Sequence, residues 1–136
     1  MVWPENASGT FTPTLAFGGD GTGITYSRQV GRYVKIGDSV WVNIWITLSS
    51  KGTATGNASV GGLPFTTGSS AESRGVSAVD AGYITFTTQG PVIAVAGLSA
   101  TTIDLWSPKT AANMDRLTNT NFANNCLLAF SMQYFV

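Results

Sequence analysis

The chain has 136 residues, with seven basic and seven acidic side chains, no histidine and one cysteine. Charged residues make up 10% of it, against about 25% in an ordinary soluble domain, and Gly, Ser, Thr and Asn fill the gap. There is no basic run for nucleic acid and no apolar stretch of about 18 residues for a membrane-spanning helix, so neither nucleic-acid binding nor membrane insertion is expected.

Residues 1–9, rich in Pro, Asn, Ser and Gly, read as an arm or connector, and residues 10–136 as one domain. Alternation begins with a strand over Thr10–Phe17, where Pro13 suggests an edge or a bulge. Gly18–Gly23 is a glycine-supplied turn. Strands follow at Ile24–Val30 and Tyr33–Ile36, and Gly37-Asp38 turns into the clearest one, Ser39–Ser50. There Val40, Val42, Ile44, Ile46 and Leu48 fall on one face, with Trp41, Asn43, Trp45 and Thr47 on the other. A helix would smear both sets around its circumference. Further strands are expected at Ala58–Leu63, Val76–Val79, Tyr83–Thr88, Val92–Ala96 and Thr102–Trp106. Two longer polar loops, Thr66–Gly75 and Ser107–Asn121, separate some of these, and the second has room for a helical turn at Ala111–Arg116. The chain closes with Cys126–Val136, apolar on both faces and so expected in a central or doubly covered position. About ten short strands with turn signals every eight to twelve residues predict an all-β fold, an antiparallel β-sandwich of jelly-roll-like kind.

Trp41 and Trp45 are the most informative pair. Five aliphatic side chains already serve the core from the other face, so the two indoles, about 13 Å apart along the strand, need another explanation. They are covered by the chain's own loops or arm, or form a subunit interface, or stack a ligand such as a sugar ring. An exterior of hydroxyls and amides desolvates more cheaply against a neighbour than a charged one, which favours the interface. Trp3 is a candidate for the same contact.

No chemistry of the usual kinds can be assembled. Without histidine the common base of a nucleophilic triad is missing, and so is the commonest ligand of zinc, copper or non-haem iron. Cys126 heads an apolar run and reads as a buried, inert thiol. Of the acids, Glu5, Asp20, Asp38, Glu72, Asp80 and Asp115 sit in turns, loops or the arm, and Asp104 on the outer face of a strand. No cofactor, no metal and no catalytic residue is expected, and the chain is not expected to be an enzyme. A glycan-cleaving trimer with carboxylates contributed across subunits is the one catalytic alternative.

Three segments carry a resemblance. The first is Gly9-Thr10-Phe11-Thr12-Pro13-Thr14-Leu15-Ala16-Phe17. The second runs from Tyr26 through Gln29, Gly31, Tyr33 and Lys35-Ile36-Gly37 to Val42, and the third is Gly62-Leu63-Pro64-Phe65. In this order, and with a final apolar strand containing Tyr134, the sequence resembles the C-terminal head modules of bacteriophage tail fibres and related trimeric virion proteins. The resemblance implies a homotrimer located in the virion, at a tail fibre or the particle surface. It also implies contact with other virion proteins and attachment to host surface polysaccharide or an outer-membrane protein. The shared motifs are structural on that view: Gly31 and Gly37 in turns, Tyr33 and Ile36 in strand packing, Pro64 at a strand end. The long shaft of a full fibre is absent, so the chain is expected to be a tip fragment or a free-standing virion protein. Receptor contacts are expected from the loops, with Trp106, Asn113 and Arg116 as candidates for their stacking and hydrogen-bonding chemistry. A structural virion trimer (capsid decoration, head fibre or baseplate component) without a receptor is the alternative.

Overall fold

The computed structural model describes residues 6–84, 91–108 and 113–136. In chain order its strands are β1 (Ala7–Phe11), β2 (Thr14–Phe17), β3 (Ile24–Ile36), β4 (Ser39–Lys51), β5 (Ala58–Gly61) and β6 (Val76–Ala78). They continue as β7 (Asp80–Ile84), β8 (Ile93–Ala96), β9 (Ile103–Pro108), β10 (Met114–Arg116) and β11 (Phe122–Phe135). One sheet has the order β1-β3-β4-β11-β7, and the other β2-β5-β9-β8-β6, with β10 alongside β9. The strand pairs are antiparallel. The fold is an all-β antiparallel sandwich.

Register decides which side chains meet. Across β4 and β11, Val40 faces Tyr134, Val42 faces Met132, Ile44 faces Phe130 and Ile46 faces Leu128. All eight are buried, and they form the first sheet's share of the core. The second sheet answers with Leu15, Phe17, Val60, Ala94, Ile103 and Leu105, also buried. Phe17 meets Phe122 with ring centroids 5.2 Å apart. The last strand, β11, is interior to its sheet, paired on both sides with β4 and β7.

Several boundaries differ from the sequence reading. Ala7–Gly9 belong to β1, inside the stretch expected to be a connector, because β1 pairs in full with β3. The strand expected at Thr10–Phe17 divides at Pro13, which lacks a donor, and its two parts enter opposite sheets. Ile24–Val30 and Tyr33–Ile36 join into one long strand with irregular register near Tyr26. Met114–Arg116 form a strand on β9 rather than a helical turn, while Ala111 lies outside the described residues, as do residues 85–88 of the strand expected at Tyr83–Thr88.

Gly31 is also not a turn residue. It lies mid-strand opposite Phe11, and a Cβ there would stand 2.8 Å from both the Phe11 ring and its carbonyl oxygen. Gly9 stands in the same relation to Tyr33, whose hydroxyl would be 3.0 Å from a Cβ. Two aromatic rings thus lie over two glycines on adjacent strands. Gln29 Nε2 donates to the Pro13 carbonyl at 2.7 Å, and the Leu15 amide donates to the Tyr26 hydroxyl at 2.8 Å. Tyr33 packs edge-on against Phe65, with centroids 5.4 Å apart, and Tyr134 donates to the Phe65 carbonyl at 2.9 Å. The segments that carry the resemblance are therefore in contact with one another. Their residues hold the sandwich together. Gly37, by contrast, has a φ of 57° and is the turn glycine its position suggests.

Two measurements test this packing. Gly31→Ala should lower unfolding stability by about 1–3 kcal/mol, because the added methyl must displace Phe11 or the β1 backbone. A denaturation midpoint matching the wild type would show that β1 does not lie as described. Burial pushes the Cys126 thiol from 9.0 up to about 11 and the Tyr134 phenol from 10.0 up to about 12. Both groups therefore hold their protons more tightly when folded, so their contribution is complete below pH 9 and is lost as pH rises towards 12. Urea midpoints should fall between pH 8 and pH 11 in a variant series, with Tyr134→Phe showing a shallower fall; equal slopes would remove Tyr134 as a cause.

Candidate functional site

The outer face of the first sheet is set by the same register that makes the core. Trp41 stands beside Val34 on β3 and Gln133 on β11, and Trp45 beside Val30 and Ala129. Between these rows lie Arg32, Asn43 and Ser131, and beyond Trp45 lies Arg28 opposite Thr47. Trp41 is 53% exposed and Trp45 41%, so the described residues cover each only in part. Trp3 lies outside the described residues.

This face has two ends of different chemistry. At one end Val34, Ile36, Trp41 and Phe135 are all exposed. At the other, Arg28 places its guanidinium 4.9 Å from the centre of the Trp45 ring. The Trp45 indole N–H donates to Thr47 Oγ1 at 3.2 Å, and Ser131 donates to Asn43 Oδ1. Arg28, Arg32, Asn43, Trp45, Ala129 and Ser131 line an open recess of about 410 Å³. Here the sequence reading found the tryptophans and missed the arginines. Alternation along β3 shows that Arg28 and Arg32 share a face with Val30, but only strand pairing puts them beside Trp45.

On the second sheet the structure brings Trp106 and Arg116 together. Arg116 on β10 is the direct cross-strand partner of Trp106 on β9, and its guanidinium lies 5.4 Å from the ring centre. The same guanidinium reaches Asp104 Oδ1 at 3.0 Å and donates to the Ala58 carbonyl at 3.1 Å. Arg116 is thus engaged by three groups of its own chain. Trp106 borders an open groove of about 460 Å³ lined also by Arg74, Val76, Ile93, Val95, Asp104 and Met114. Arg116 does not line that groove; it braces the ring that does. Asn113 is exposed at the start of β10 and apart from the groove lining.

The loop Thr66–Gly75 is fastened to the scaffold. The buried Thr67 hydroxyl donates to the Gly97 carbonyl at 2.5 Å, and the Gly68 amide donates to the Phe135 carbonyl at 2.9 Å. A Cβ on Gly75 would stand 2.5 Å from the Gln133 carbonyl oxygen. Asp104, the acid expected on the outer face of a strand, is there and is held by Arg116. Among the described residues no three His, Cys, Asp or Glu side chains converge to hold a metal ion.

The sequence matches no protein-family model and no curated protein. Its fold is similar to part of a solved structure, the Dettilon tailspike protein (gp208), with a TM-score of 0.78 at 18% sequence identity. That likeness covers 96% of this chain and 24% of the tailspike chain, so the described sandwich corresponds to a minor part of the larger protein.

Proposed function

We propose that this chain is a phage tail-type virion module, a trimeric tip that attaches the particle to a host surface glycan or outer-membrane protein. The observation that carries the reading is the likeness to a segment of a phage tailspike along 96% of this chain. The motif order points the same way from the sequence alone. Those motifs meet in three dimensions, which gives a physical reason for their occurring as a set.

Self-association is assigned to the apolar end of the first sheet. Burying Trp41, Val34, Ile36 and Phe135 against a neighbouring copy removes from water the largest side chains the domain exposes there. Trp45 lies at the margin of this contact, and Trp3 is the third tryptophan proposed for it. With that end covered by a neighbour, the Trp106 groove on the second sheet is left for a ligand, and Arg74 and Val76 stand between it and Trp41. Trp106 is then the stacking contact for a receptor, Asn113 a hydrogen-bonding contact at the rim, and Arg116 the residue that positions the Trp106 ring.

Light scattering at two concentrations should give a stable mass near three times 14.2 kDa. Trp41→Ala should reduce it towards that of one chain while leaving the circular dichroism of the sandwich in place. A clean monomer in the unsubstituted protein would overturn the trimer. For attachment, Trp106→Ala should weaken retention on host cells about 30-fold, the effect of removing a central aromatic anchor worth about 2 kcal/mol. Arg116→Lys should weaken it less and also shift tryptophan emission, because a lysine cannot hold Asp104 and stack on the ring in the same way. Binding to capsids or baseplates with none to cells would instead identify a structural virion trimer.

A further inference from the structure

The recess beside Trp45 has chemistry that a subunit contact does not explain. Arg28 and Arg32 are four residues apart on one strand, about 13 Å between their Cα atoms, with the Trp45 row between them. Among the described residues neither guanidinium has a carboxylate partner. Packing this end of the sheet against an apolar neighbour would strip water from two charges and return nothing.

We propose that this recess is a binding site for an acid-bearing saccharide, a sugar unit carrying a carboxylate such as a hexuronate. Each part of the site answers to a part of that ligand. Trp45 is 41% exposed between Val30 and Ala129, and the part of its indole that Arg28 does not cover is open to the C–H face of a pyranose. Its ring is held in place from two sides, by the Arg28 stack and by the hydrogen bond to Thr47. Asn43 and Ser131 present an amide and a hydroxyl at the floor, suited to sugar hydroxyls. Arg32 and Arg28 flank the ring, and a planar guanidinium takes a carboxylate through two parallel hydrogen bonds. A purely apolar ligand would leave both cations unsatisfied. A polyphosphate backbone asks for more cations than these two, in a chain whose net charge is zero.

The site is separate from the Trp106 groove and stands whether or not the chain belongs to a phage particle. The test uses the full chain with a tri-uronate oligosaccharide as probe. Maltotriose serves as the neutral control, inorganic phosphate as the bare anion, and a glutamate-rich peptide as the competing polymer. Calorimetry and tryptophan emission should detect the tri-uronate, with at least tenfold weaker binding of maltotriose, phosphate and peptide. Arg28→Gln and Arg32→Gln, both at exposed positions, should each weaken the tri-uronate at least tenfold without altering the thermal transition. Trp45→Phe should retain part of the affinity and Trp45→Ala none, while Trp106→Ala leaves it unchanged. No binding of the tri-uronate at millimolar concentration would overturn the proposal. So would equal binding of the glutamate-rich peptide or of phosphate, or affinity that survives both arginine substitutions. A trimer that forms with Trp41 intact yet shows no uronate binding would remove this site and leave the subunit contact standing.

Discussion

The pairing of β4 with β11 is the constraint on which the rest depends. Because side chains alternate across a sheet, this single register sends Val40, Val42, Ile44 and Ile46 inward against Tyr134, Met132, Phe130 and Leu128. The same register sends Trp41, Asn43 and Trp45 outward against Gln133, Ser131 and Ala129. A slip of one residue would bury an asparagine and two indoles in a core sized for aliphatic chains and would expose the aliphatic row. Core and outer surface are therefore not independent features. Any substitution that perturbs the register alters both, which is why the outer face can be read with the same certainty as the core.

Around this centre the domain is closed by aromatic rings laid over glycines. Phe11 over Gly31 and Tyr33 over Gly9 fix β1 to β3, where two side chains would otherwise collide. Tyr33 then reaches Phe65, and Phe65 accepts from Tyr134 at the end of β11. The chain's early, middle and final segments are thus joined by one series of contacts. Short segments far apart in sequence thus each supply one partner of a contact. This arrangement places them in the scaffold, leaving other residues to meet a ligand.

Much of this was legible from the residues. The inward and outward rows of β4 were read without a structure because period-two alternation of aliphatic residues has one physical solution. The sandwich followed from the number and spacing of such segments. What could not be read was partnership across strands. Gly31 looks like a turn glycine until Phe11 is known to cross it, and Arg28 and Arg32 look like ordinary solvated charges until Trp45 is known to stand beside them. Trp106 and Arg116 were singled out for their chemistry, and the pairing of β9 with β10 makes them a unit. That unit assigns them unequal roles. Arg116 is held by Asp104 and Ala58 with its guanidinium against the Trp106 ring, while Trp106 lines the groove.

The low charge content gains a sharper meaning from these placements. In a domain with few ions, what each charged side chain touches is informative. Arg116 has Asp104, and Lys35 donates to the Gly37 carbonyl at 2.5 Å beside the Phe65 ring. These cations are used internally. Arg28 keeps its charge at the surface beside the Trp45 ring and Arg32 stands between the Trp41 and Trp45 rows, whereas Val34, Ile36 and Phe135 are exposed apolar side chains at the other end. Desolvation is cheap in the second environment and costly in the first. One sheet face is thereby divided by physical chemistry into an end suited to another protein surface and an end suited to a polar, anionic ligand.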